Sequence, residues 1–140
     1  MAAGREVLRL AKMYLDRGES VSIETTLSGR NYFKMMAEAK SKGFEVVLVY
    51  IGTETVEINL ARIAKRVLGG GHHVPEADVR RRYDRSFENF PVAAKLAHHV
   101  ILFDNSTEQG YQLIGVISPP TARWFDPLPL WAVPFRQHQS

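Results

Sequence analysis

The sequence predicts an α/β fold with a three-layer parallel sheet, and three observations carry that expectation. The run Phe44-Glu45-Val46-Val47-Leu48-Val49-Tyr50-Ile51 is almost continuously apolar, as a strand buried on both faces requires. Strand-like runs alternate with segments of helical periodicity, the pattern of parallel strands joined by crossovers. Ser22-Ile23-Glu24-Thr25-Thr26-Leu27-Ser28-Gly29-Arg30 reads as a further strand whose carboxyl end carries an acid and hydroxyls before a helix opens. In an open α/β sheet ligands bind at such carboxyl ends.

Each element follows from local signals. Val7, Leu10, Ala11 and Tyr14 fall at helical spacing and Gly18 supplies the stop, which predicts a helix from about Gly4 to Arg17. Val21 and Ile23 lead to Glu24, and Ser28 is placed to cap a second helix with Phe33, Met36, Ala37 and the Lys40 stem inward, ended by Gly43. Thr53 or Thr55 caps a third, with Val56, Leu60, Ile63 and Val67 on one face and a stop at Gly69-Gly70-Gly71. Pro75 suits a first helical turn, with Glu76 and Asp78 near the positive helix end and Val79, Tyr83, Phe87 and Phe90 inward. Pro91 is expected to break that helix. Val100-Ile101-Leu102-Phe103 reads as a strand closed by Asp104-Asn105-Ser106, and Tyr111 to Phe125 as a hairpin-like pair. The Pro-rich tail around Trp131 is expected to dock on the core, with fraying from Gln137 onward.

Composition bounds the chemistry. A chain of 140 residues suits one domain, taken as 1-140. Without cysteine there is no thiol nucleophile and no Cys-based zinc site. The longest apolar run is too short to cross a bilayer, and Met1-Ala2-Ala3-Gly4-Arg5 leads into an amphipathic helix, so a cytoplasmic protein away from membranes is expected. The net charge is only +3, yet seven of the 18 Lys and Arg lie between Arg62 and Arg85, against Glu76, Asp78 and Asp84. Concentrated arginine suits a polyanion; a solvated helix face is the alternative. Arg82 and Arg85 are three apart and share a helix face with Asp78. The neighbouring pairs His72-His73 and His98-His99 lack an acid or cysteine at ligand spacing, so no metal site is expected. No stretch matches Gly-x-x-x-x-Gly-Lys-Ser/Thr.

Taken in order, Ser22 to Arg30, Arg66-Val67 with Gly70-Gly71-His72, Val74-Pro75-Glu76, Arg80-Arg81-Arg82-Tyr83-Asp84-Arg85 and Leu102-Phe103-Asp104-Asn105-Ser106 resemble the zeta toxin family of P-loop kinases, over about Arg5 to Ile117. The resemblance implies a P-loop-kinase-like fold and ATP-dependent phosphoryl transfer to a hydroxyl of a sugar nucleotide such as UDP-N-acetylglucosamine, with ATP and Mg2+ as cofactors. By motif position it assigns Glu24, Thr25, Thr26 and Arg30 to the substrate, Arg66, Arg82 and Arg85 to the transferring phosphates, and His72 and Arg62 to the cofactor. The family begins with a strand, phosphate loop, helix and catalytic aspartate, whereas only Met1 to Gly4 precede the first helix here. The expectation is therefore an amino-terminally truncated kinase domain, inactive by itself, with an antitoxin-like protein or a separately encoded P-loop segment as partner. The alternative is a degenerate module binding a sugar nucleotide, an antitoxin-like partner or, less favoured, nucleic acid through the arginine-rich helix.

Overall fold

The computed structural model describes residues 2–137. Among the residues whose burial is described, helix α1 (Ala2–Asp16) buries Ala11 and Leu15, and Gly18 ends the turn after it at φ +74°. An irregular stretch leads to α2 (Asn31–Ser41), which Gly43 follows at φ +85°, a left-handed conformation that glycine tolerates. Strand β1 (Val47–Gly52) comes next, then α3 (Val56–Leu68) and α4 (Glu76–Leu96). Strands β2 (His99–Asp104), β3 (Gln112–Ser118) and β4 (Thr121–Trp124) complete one sheet, and the tail forms a short 3-10 turn, Leu130–Ala132, and helix α5 (Val133–Gln137). The fraying expected past Gln137 lies outside the described residues.

The expected three-layer parallel P-loop-kinase-like sheet is not formed. The sheet has four strands in the order β1-β2-β3-β4, and only β1 and β2 run parallel. Strands β2, β3 and β4 pair antiparallel, as consecutive strands joined by short turns must. Ser22 to Arg30 is no strand either. A strand needs a neighbour for its N–H and C=O groups, and this segment has Val21 and Ile23 as its apolar start before a polar run, with most of its side chains exposed. The apolar run at β1 also departs from expectation. Val47, Val49 and Ile51 are 47%, 52% and 49% exposed, so β1 is an edge strand buried on one face.

The core lies on the other face. Tyr50, Val100, Leu102 and Ile117 of the sheet meet Phe90 and Ala93 of α4, Ala97 just after it and Phe135 of α5, with Phe33 and Met36 of α2 at the margin. Aromatic rings join the tail to this core: Phe90 and Phe135 lie 4.1 Å apart, and Tyr50 and Phe90 4.7 Å in an edge-on arrangement. Trp131 stacks its indole over Gly52, where an added Cβ would come within 2.6 Å of the ring, so only glycine fits at the end of β1. The Trp131 Nε1 donates to Asp104 Oδ1 at 2.8 Å, which ties the tail to the carboxyl end of β2.

Helix α4 runs unbroken through Pro91, contrary to the expected break. Proline removes one backbone donor and strains the preceding turn. Here the helix buries Asn89, Phe90 and Ala93 around the proline, and that tertiary packing holds it. Ser28 is not a helix cap; its hydroxyl shares a hydrogen bond with Thr26 at 2.8 Å, and Arg30 occupies the position before α2.

Candidate functional site

A cavity of about 1060 Å³ opens beside the carboxyl half of β1, between α3, α4 and the turn at Thr25–Leu27. Four sequence features shape it. Strand β1 delivers Gly52 and Thr53 to its floor; α3 contributes Asn59, Arg62, Lys65 and Arg66; the glycine turn sets His72 at its mouth; α4 adds Arg82 and Tyr83. Gly71 donates its N–H to the Arg66 carbonyl at 2.7 Å, and a Cβ there would approach that same oxygen to 2.9 Å. Glycine is therefore required where the chain folds back over the end of α3, and this return brings His72 to the cavity.

Buried polar contacts fix the floor. Thr53 donates to Asn59 Oδ1 at 2.9 Å, and Tyr83 donates its phenol to the Thr53 carbonyl at 2.7 Å. Tyr50 and Ser86 share a hydrogen bond of 2.9 Å. Burial raises the pKa of both phenols, that of Tyr50 strongly, which keeps them neutral hydrogen-bonding groups.

The Thr25–Leu27 turn is anchored from below. Leu27 is buried with φ +56°, a conformation unusual for a residue with a Cβ. Its N–H donates to Thr25 Oγ1 at 3.1 Å, which leaves the Thr25 O–H available as a donor. Asn89, buried in α4, donates Nδ2 to the carbonyls of Leu27 (2.8 Å) and Gly29 (3.3 Å). Replacing Asn89 with alanine would leave these carbonyls short of a donor, a loss of about 1–3 kcal/mol. We expect the N89A variant to unfold at lower urea; an unchanged midpoint would remove Asn89 from this role.

The charge of the cavity is one-sided. Arg62, Lys65, Arg66, His72 and Arg82 line it, and no Asp or Glu is among its described lining residues. Neighbouring arginines are spoken for: Arg80 pairs with Glu76 and Glu57, and Arg81 with Asp78. Asp78 thus engages Arg81, not the Arg82 and Arg85 with which it was expected to share a face. Lys65, Arg66 and Arg82 form no ion pair with any described residue. Arg62 donates to the Asn105 carbonyl at 2.5 Å, which holds its guanidinium at the carboxyl ends of both parallel strands.

Of the residues assigned from the sequence, Thr25, Thr26, Arg62, Arg66, His72 and Arg82 line this one cavity. Glu24, Arg30 and Arg85 are exposed and do not line it; Arg30 instead sits over the Phe33 ring at 5.4 Å. Asn59 and Asn89 escaped sequence reasoning, and Tyr83 and Asn105, although part of the motifs it quoted, were assigned no role at the site. For Asn89 a signal existed: it lies seven residues, close to two helical turns, after Arg82 and so shares that side of α4. His98 and His99 are sheet fasteners. His98 Nδ1 accepts from the Val46 N–H at 2.9 Å, and His99 Nδ1 bonds the Ser118 hydroxyl at 2.7 Å.

The cofactors implied by resemblance can be tested against these residues. Guanidinium donors without competing carboxylates fit phosphate oxygens. Mg2+ is held through carboxylates together with substrate phosphates, and the described lining supplies none, so the residues present do not fit the metal. No helix among the described residues is long and apolar enough to cross a membrane.

Comparison with known proteins adds one relationship. An uncharacterized protein of Haemophilus influenzae strain Rd is 44% identical to this chain over 81 residues, covering 58% of this chain and 58% of that protein. The chain therefore matches somewhat over half the length of that relative. No family model matches the chain, and no solved structure does.

Proposed function

We propose that the cavity beside β1 binds a phosphate-bearing ligand of the sugar-nucleotide class, and that the chain is the acceptor-side and lid portion of a zeta-toxin-like, ATP-dependent kinase working in the cytoplasm. The observation that supports this best is the charge of the lining: three arginines, a lysine and a histidine face one space with no carboxylate among the described residues there. A polyanion relieves that unbalanced charge, and planar guanidinium groups contact two phosphate oxygens at once. The hydroxyls of Thr25 and Thr26 lie at the same cavity and suit the hydroxyls of a sugar. A cavity of this volume also reaches the upper end of the range that small ligands occupy, roughly 300–1,000 Å³.

The same residues limit the chemistry. Arginines stabilise charge spread over a transferring phosphoryl group, but an acceptor hydroxyl must also lose its proton to a base. Glu24 lies outside the cavity, no carboxylate is among its described lining residues, and no stretch of the sequence matches a phosphate-binding loop that would position ATP. The chain alone is thus expected to bind UDP-N-acetylglucosamine saturably at low salt and to transfer no phosphate to it from ATP. Calorimetric titration and a radiolabelled-ATP assay check both halves. Absence of binding at 50 mM and at 500 mM salt would sink the ligand assignment, and transfer by the chain alone would sink the statement that it cannot position ATP.

A further inference from the structure

On the reading of the cavity as a phosphate site, we propose that the carboxyl-terminal tail belongs to that site: Trp131, through Asp104 and Ser106, positions the Asn105 carbonyl that aims Arg62 at the ligand. Among the cations that line the cavity, Arg62 stands apart. Lys65, Arg66, His72 and Arg82 are exposed and make no side-chain hydrogen bond to a described residue, whereas Arg62 is half-buried and donates Nη1 to the Asn105 carbonyl. A guanidinium carries five N–H donors, so one bond fixes it and leaves others for phosphate oxygens. A donor held in place before the ligand arrives loses less freedom on binding.

The tail holds the acceptor of that bond. Asn105 donates its N–H to the Gly52 carbonyl at 2.9 Å, and the residues on both sides of it are tied down. Asp104, only 9% exposed, accepts at Oδ1 from the Ser106 hydroxyl at 2.6 Å and from Trp131 Nε1 at 2.8 Å. Ser106 Oγ accepts in turn from the Glu54 N–H at 2.9 Å, and Glu54 Oε1 accepts from the Leu130 N–H at 3.1 Å. Trp131 also lies over Gly52, the residue that receives the Asn105 N–H. The indole thus braces Asn105 twice, by its ring at Gly52 and by its N–H at Asp104. A bond chain that only sealed the end of the sheet would make binding equally sensitive to its loss with Arg62 present or absent. A chain that aims Arg62 makes that sensitivity vanish with the arginine.

The tests use the full chain. In the free protein the Arg62 Nε–Hε magnetic resonance signal, identified by its loss in R62A, should shift or broaden in Ser106→Ala and in Trp131→Phe, which keeps an aromatic ring but lacks the N–H donor. The Arg66 and Arg82 signals should stay, and Ser106→Thr, which keeps a hydroxyl, should restore the Arg62 signal. Uridine diphosphate should bind S106A about fivefold more weakly than the parent, the effect of one hydrogen bond. In the R62A background the S106A change should alter affinity by less than about 1.5-fold, and in the R82A background by about fivefold again. An unchanged Arg62 signal in folded S106A and W131F, or the same loss of affinity with Arg62 absent, would overturn the proposal. If uridine diphosphate does not bind the parent, the phosphate reading falls, and the Arg62 signal still decides whether the tail positions that side chain.

Discussion

Replacing Phe90 with alanine should cost about 3–5 kcal/mol of stability, the usual range for removing a buried phenylalanine. Phe90 is 1% exposed and is among the largest side chains that are fully buried. It touches the rings of both Tyr50 in β1 and Phe135 in α5, so its loss opens a cavity between the sheet and the tail at once. A domain of this size holds only about 5–15 kcal/mol in total, and the variant should unfold at a urea midpoint lower by roughly 2–3.3 M, for a slope near 1.5 kcal/mol/M. Phe90→Leu should recover most of the loss, because volume and apolarity are largely kept. A midpoint within about 0.3 M of the parent for F90A would mean that the tail does not close over the core as described.

The second large effect concerns ligand binding. Arg66→Ala or Arg82→Ala should each weaken binding of a uridine diphosphate sugar by about tenfold, and the double variant by roughly a hundredfold if the two act independently. Neither arginine has an ion-pair partner among the described residues, so removing it leaves no carboxylate stranded. Arg82→Lys should recover only part of the affinity, since an ammonium cannot make the paired contacts of a guanidinium. Arg81→Ala is the contrast, because that side chain already pairs with Asp78, and it should change affinity by less than about twofold. Equal losses in R81A and R82A would reduce the effect to general positive charge.

How much of this was legible beforehand depended on whether the signal was local. The ends of α2 and α3 were readable because Gly43 and Gly70 adopt left-handed backbone that other residues resist. The hairpin of β3 and β4 and the docking of the tail through Trp131 followed from short-range pattern as well. Strand β1 was placed correctly, but its open face was invisible. A run such as Val47 to Ile51 reads the same whether one face or two are covered. The supposed strand at Ser22 to Arg30 failed for a related reason, since strand formation depends on a neighbour that local sequence cannot supply. Pro91 shows the reverse case, in which tertiary burial of Asn89, Phe90 and Ala93 overrode a strong local breaker.

The site divided along the same line. Arg62, Arg66, His72 and Arg82 reach the cavity because helix ends and a glycine turn place them, features that sequence displays. Glu24, Arg30 and Arg85 were grouped with them by motif order, and order along the chain does not fix direction in space. The Arg82 side of α4 was readable for Asn89, but its partner was not, because the hydrogen bond to Leu27 spans 62 positions. Its consequence, a strained turn held against the core, is the part of the site that only the fold reveals.

The most direct measurement compares uridine diphosphate with uridine in calorimetric titrations of the unmodified chain. If unbalanced positive charge defines the cavity, the diphosphate should bind one to one, at least about tenfold more tightly than the nucleoside, with affinity falling as salt rises. Equal affinities for the two, or no saturable binding of the diphosphate at low salt, would contradict the account.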